Sequence, residues 1–168
     1  CGSQLVAKNK GKKANTKLER GQKIAHFAHQ SSRTCEGSIE SAIHLLAKQV
    51  LRTEKKLRLP ALVANGFKLT NDKMVEFDDV ELEKSIPVGD SRIQPDAICS
   101  KNGRQLFVEF YFSHLVDKDK LGKIKQLNVS CLEINIHSIS QLKDGKLNTL
   151  EMRELLESSN EQKVWLYS

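Results

Sequence analysis

Asn102-Gly103 lies between two runs of strand-forming residues, about 92–100 and 104–113, and constrains the chain more than any other feature. Asn-Gly supplies the two left-handed residues that a type I′ turn requires, so the flanking runs predict an antiparallel hairpin of fixed register. A two-residue turn pairs Lys101 with Arg104, Ile98 with Phe107 and Gln94 with Tyr111, and sets Asp96 opposite Glu109. Because side chains alternate, Gln94, Asp96, Glu109 and Tyr111 then share one face. Ile93, Ala97 and Cys99 fall on the other, with Leu106, Val108, Phe110 and Phe112. Opposed residues of this kind have Cβ atoms about 4.5–5.5 Å apart, and like charges there are destabilising. A shared proton, a basic neighbour or a divalent cation has to compensate. Mg2+ binds through one or two carboxylates plus water and substrate phosphate, which suits the pair. The ordinary alternative is an exposed pair, solvated or bridged by a nearby lysine.

The clearest helix covers 38–52, with Ser38 as N-cap and Ile39, Ala42, Ile43, Leu46, Ala47 and Val50 as one apolar stripe. Glu40 lies at the edge of that stripe, and His44 and Lys48 follow at successive four-residue steps on the same side. Residues 57–90 read as strands and turns punctuated by Pro60, Gly66, Asn71-Asp72, Pro87 and Gly89, with EFDDVELE as an exposed strand or loop face. A helix over 117–127 places Leu121, Ile124 and Leu127 inward, and Asn128 closes it in a left-handed conformation. The run 129–137 is a further strand, so strand, helix and strand imply a right-handed parallel crossover. A helix near 148–158 and a strand-like VWLY complete an α/β pattern.

At 168 residues the chain suits one domain with a core of its own. No apolar run approaches the roughly 18 residues of a membrane span, and no secretory signal pattern is present. The chain opens on Cys1-Gly2 without an initiator Met, as a fragment or processed chain does. Cys1, Cys35, Cys99 and Cys131 form no CxxC, which argues for reduced thiols in a cytoplasmic protein. Cys99 and Cys131 read as small buried hydrophobes. Residues 1–25 hold seven Lys/Arg (Lys8, Lys10, Lys12, Lys13, Lys17, Arg20, Lys23) against Glu19, while the remainder is neutral. A basic arm on a neutral body suits a polyanion, because neutralised phosphates release counterions; a solvated arm is the plain alternative. It reads as a short hairpin or loop with KNKGKKANTK at its tip, which divides the chain into a basic segment with HFAH (1–37) and a core (38–168).

Gln94-Pro95-Asp96, followed on the next strand by Glu109-Phe110-Tyr111, resembles the core of the PD-(D/E)XK nucleases, and specifically the competence protein CoiA-like group. His26-Phe27-Ala28-His29, the Glu40-Ser41-x-x-His44-x-x-x-Lys48 helix pattern, and Ser113-His114 with Val116-Asp117-x-x-Lys120 fit that group. The likeness spans roughly residues 1–137, and a similar WLY stands near the end. It implies a restriction-endonuclease-like mixed sheet flanked by helices and metal-dependent hydrolysis of DNA, with an inactive DNA-binding or recombination-assembly module as the rival. In that reading Asp96 and Glu109 hold Mg2+ or Mn2+, and Glu40 completes the metal site. Glu40 near a helix start equally suits the helix dipole. Tyr111 stands where such nucleases usually place a lysine that orients the attacking water, so Lys48 or Lys120 has to reach in from a helix. Lys8, Lys10, Lys12, Lys13, His44 and His114 are candidate DNA contacts, with solvated surface positions as the alternative. The resembled group often carries a Cys pair before HFAH, and Cys1-Gly2 looks like its second half, so Cys1, His29 and Cys35 raise a Zn2+ site. A closed zinc site wants four ligands and usually a CxxC knuckle, which is absent; His29 packing beside Phe27 is the alternative. DNA is the expected partner, a homodimer or a protein partner is allowed, and a membrane is not expected.

Overall fold

The computed structural model describes residues 5–8, 26–29, 36–140, 148–158 and 160–168. The chain divides into two units, Cys1–Ile39 and Glu40–Ser168. In the first, β1 (Leu5–Lys8) pairs antiparallel with β2 (His26–His29), Leu5 opposite His29 and Lys8 opposite His26. HFAH, expected to follow a hairpin or loop over 1–25, is thus itself the strand that pairs with β1, and residues 9–25 lie outside the described residues.

The helix α1 (Glu36–Glu54) begins two residues before the expected cap. Ser38 therefore sits inside the first turn, and Glu40 moves to the second, beyond the reach of the helix dipole. Ile43, Ala47 and Val50 are buried along the predicted stripe, and Leu51, outside it, is buried as well. Small ladders follow: β3 (Lys56–Leu59) with β6 (Lys73–Glu76), β4 (Val63–Ala64) with β5 (Phe67–Lys68), and β8 (Ile86–Val88) with β9 (Ser91–Ile93).

The central sheet has five strands in the order β13 (Lys163–Tyr167), β12 (Ser130–Asn135), β11 (Arg104–Tyr111), β10 (Ala97–Lys101), β7 (Asp79–Leu82). EFDDVELE supplies β7, an edge strand of the core sheet, with Phe77 and Val80 buried and the acids between them exposed or half-buried. It belongs to the core because three apolar residues in an otherwise acidic run, Phe77, Val80 and the partly buried Leu82, suffice to anchor it.

The Asn102-Gly103 turn has φ of 48° and 74°, and the ladder runs from Lys101 opposite Arg104 to Ala97 opposite Val108, as the turn dictates. Pairing stops there because Pro95 cannot donate to a ladder. The break resets the alternation: Ile93 packs with Ile98 and Phe107, not with Ala97 and Cys99 as a continuous strand would have it.

After β11 the chain forms α2 (Lys118–Leu127) and returns as β12, parallel to β11, with Glu109 beside Glu133. Asp117 caps α2 by accepting the Lys120 N–H at 2.7 Å, and Asn128 ends it with φ 52° and ψ 41°. α3 (Thr149–Glu157) starts at an Asn148 cap and buries Met152, Leu155 and Leu156. α1 and α3 cover the sheet face of Ala97, Cys99, Val108 and Phe110, while Ile124 of α2 covers the face of Ile98, Phe107 and Cys131. The described chain is a mixed α/β fold whose core sheet carries helices on both faces.

Ile124 is fully buried and anchors α2, hence Lys120 one turn before it, to the sheet. Ile124→Ala is expected to cost about 2–5 kcal/mol, read as a lower urea midpoint in equilibrium unfolding.

Candidate active site

Asp96 occupies the bend between Pro95 and β10, and its carboxylate does what the ladder no longer can. Oδ2 accepts the backbone N–H of Phe110 at 2.8 Å, so the carboxylate bridges the two strands beyond their last pair. Oδ1 accepts from Lys48 Nζ of α1 at 3.1 Å. Lys48 also donates to Glu83 Oε1 at 2.7 Å, and the Glu83 backbone N–H donates to the Asp96 carbonyl at 3.2 Å. Burial disfavours the Lys48 ammonium, but the hydrogen bond to Glu83 and the adjacent Asp96 outweigh it and raise its pKa.

Glu109 lies on β11 one step beyond the Ala97–Val108 pair, with a side chain only 4% exposed. Its Oε2 accepts from Lys120 Nζ of α2 at 2.7 Å. Burial lifts the Glu109 carboxyl to about 7, against the pull of Lys120 and with a further push from the Asp96 charge. The Asp96 backbone amide, close by but outside hydrogen-bond geometry, pulls weakly the other way. Oε1 of Glu109 is buried and has no hydrogen-bond partner among the described residues.

Two neighbouring acids, one in the bend before β10 and one on β11, are therefore compensated by two lysines, one from each side of the sheet. An unpartnered buried carboxylate oxygen next to a second carboxylate fits a divalent ion that takes two protein ligands and fills its other positions with water and phosphate. Both lysines would have to yield their acids to it. Among the described residues no group of three or more His, Cys, Asp or Glu is gathered to hold a metal, so Glu40 is not a ready third ligand. Instead, Glu40 Oε1 accepts from Ser113 Oγ at 3.0 Å and stands 4.0 Å from His44 Nε2. Ser113 Oγ is 2.7 Å from His114 Nδ1, which links His114 to the same corner. Burial lowers the His44 pKa despite Asp96 and Glu40, with Lys48 adding to the fall, so the ring is neutral near pH 7. Tyr111 is half-buried at the end of β11, on the face of Glu109.

Of the remaining sequence candidates, Lys8 and His29 have only their backbone described, in β1 and β2, and Lys10, Lys12, Lys13, Cys1 and Cys35 lie outside the described residues. Cys99 and Cys131 are buried free thiols, and burial pushes the Cys99 thiol up to about 12.

Two neighbours escaped the sequence reading. Glu133 is buried beside Glu109 on the parallel strand, and its Oε1 accepts the Val116 N–H at 2.8 Å. An acid inside the apolar run SCLEIN was the available signal. Glu83 left none, because its tie to Lys48 spans 35 residues of sequence.

No protein-family model, curated protein or solved structure matches the chain. Among the described residues no helix is long and apolar enough to cross a membrane.

A carboxyl raised from 4.5 to about 7 keeps its proton in the folded protein over a range where the unfolded chain has lost it. Stability from this group is thus complete below the unfolded value and is lost as pH rises through about 7. Glu109→Gln removes that loss. The variant is expected to gain on wild type between these pH values, by roughly 3 kcal/mol at most, in urea unfolding series at pH 4.5 to 8.

Proposed function

We propose that this chain is a metal-dependent DNA nuclease of the PD-(D/E)XK type, similar to the CoiA-like group, built on a restriction-endonuclease-like sheet and acting in the cytoplasm. The observation that carries the reading is the convergence of Asp96 and Glu109 at the break of the β10–β11 ladder, with a lysine on each and a buried Glu109 oxygen unpartnered. Support also comes from the mixed five-stranded sheet with helices on both faces.

Asp96 and Glu109 would hold Mg2+ or Mn2+, which when bound would supply a water of lowered pKa and offset phosphate charge. Glu40 binds water at the rim of the acidic pair, and the neutral His44 beside it takes up a proton. Lys48 or Lys120 faces the phosphate with the charge that Tyr111 lacks. In the hydrolysis, water oxygen bonds to phosphorus, one P–O ester bond breaks, and the departing oxygen gains a proton. The basic arm, with Lys8, Lys10, Lys12 and Lys13, holds the DNA backbone without reading sequence. A second reading, a non-catalytic DNA-binding module, draws on Tyr111 at the lysine position and on the neutralisation of both acids by lysines.

Titration calorimetry is expected to show Mn2+ binding to wild type and none to Asp96→Ala, with affinity rising as pH passes about 7, where Glu109 releases its proton. Loss of a positioned charge typically lowers a rate ~10²–10³-fold, so removing whichever of the two lysines supplies it, by Lys48→Met or Lys120→Met, should all but abolish Mn2+-dependent cleavage of plasmid DNA with little change in melting temperature. Wild type that binds DNA but cleaves neither single- nor double-stranded DNA with either ion would leave the binding module standing.

Removing the seven basic charges of residues 1–25 should weaken DNA binding and flatten the dependence of log K on log salt. An unchanged slope would move the DNA surface to another part of the chain, such as the lysines of 118–125.

A further inference from the structure

Lys48 and Lys120 both reach the acidic pair, but they are held differently. Among the described residues Lys120 Nζ has one hydrogen-bond acceptor, Glu109 Oε2. Lys48 Nζ has two, Asp96 Oδ1 at 3.1 Å and Glu83 Oε1 at 2.7 Å, and Glu83 is the closer. Glu83 is tied to the same bend through its amide on the Asp96 carbonyl. Its backbone has φ of 51°, a left-handed value that a side-chain-bearing residue adopts only where the surroundings impose it. The two carboxylates thus flank one ammonium, and the chain accepts an unfavourable backbone conformation to place the second.

We infer that Glu83 is a positioning residue for Lys48, which lets Asp96 give its carboxylate to a divalent cation without losing the lysine, and that Lys48, not Lys120, replaces the cation missing at Tyr111. The inference rests on the nuclease reading above. A cation shared by Asp96 and Glu109 repels both ammonium groups. Lys120, once separated from Glu109, keeps no acceptor among the described residues and is free to turn into water. Lys48 keeps the shorter of its two bonds, and its side chain is only 11% exposed, so leaving it unpaired would be costly. Glu83 is more than half exposed, and this sets the ammonium at the boundary between the acids and solvent, where a phosphate arrives.

Hydrogen-bond scalar couplings between lysine 15Nζ and carboxylate 13C, measured on the full chain with Mg2+ as the probe, separate the two lysines. Without Mg2+, Lys48 should couple to Asp96 and Glu83, and Lys120 to Glu109. At saturation the Asp96 and Glu109 couplings should vanish and the Lys48–Glu83 coupling persist. In plasmid cleavage, Glu83→Gln should lower kcat about tenfold with KM for DNA nearly unchanged, a size typical of residues that orient a reacting group. Glu83→Asp should recover part of that loss, and Lys48→Met should cost more than Lys120→Met. Release of Lys48 from Glu83 by Mg2+, an unchanged kcat in Glu83→Gln, or a larger loss in Lys120→Met would each overturn the inference while leaving the nuclease reading intact. Wild type that binds Mg2+ without cleaving would end the nuclease reading, and the persistence or loss of the Glu83 coupling would still decide whether Glu83 holds Lys48. Absence of Mg2+ binding would overturn both.

Discussion

The Asp96 carboxylate takes the Phe110 amide at the point where Pro95 has ended the β10–β11 ladder, and much of the site depends on that hydrogen bond. It satisfies a backbone donor that would otherwise be left without a strand partner, at a place where an unmade hydrogen bond is expensive. It also fixes a negative charge beside Glu109, which lies deeper in the sheet. Lys48 from α1 answers that charge, with Glu83 behind it, and Lys120 from α2 answers Glu109. The helices bury apolar stripes against opposite faces of the sheet, yet each sends one lysine to the same pair of strands.

The balance between the two acids is unequal, and the inequality is chemically useful. Asp96 is partly open to solvent and has a backbone amide and an ammonium on its two oxygens. Glu109 is enclosed, has one oxygen on Lys120 and the other without a partner among the described residues, and its burial raises its pKa. Burial outweighs the lysine here because the enclosed carboxylate loses its hydration on both oxygens and regains a partner on one. A group in that condition responds to protons and cations near neutral pH far more than an ordinary surface glutamate does.

Local signals in the sequence reached far into this arrangement. Asn102-Gly103 set the register of the ladder as far as Ala97 and Val108, one step short of the expected Asp96–Glu109 pair, because turn type dictates pairing before any tertiary contact is known. Four-residue spacing put Glu40, His44 and Lys48 on one flank of α1, and Asn128 marked the end of α2. What stayed hidden depends on the chain meeting itself across distance. The Pro95 break moved Ile93 to the other face, and a continuous alternation could not foresee it. Glu83 lies at the end of an acidic run where every carboxylate looks alike, and only the fold distinguishes the one that meets Lys48. Ser38 misled because a good capping residue near a helix start need not be the cap.

β7, the outer strand on the Asp96 side, carries Asp79 and Glu81, with Asp78 and Glu83 at its ends. Charged edges discourage another chain from adding a strand, which keeps the open side of the sheet from templating aggregation. The same carboxylates do not stand as bare charge: Lys55 lies 3.9 Å from Asp79, Lys84 2.8 Å from Glu81 and Lys48 2.7 Å from Glu83, so the border of the sheet is highly charged and locally balanced at once.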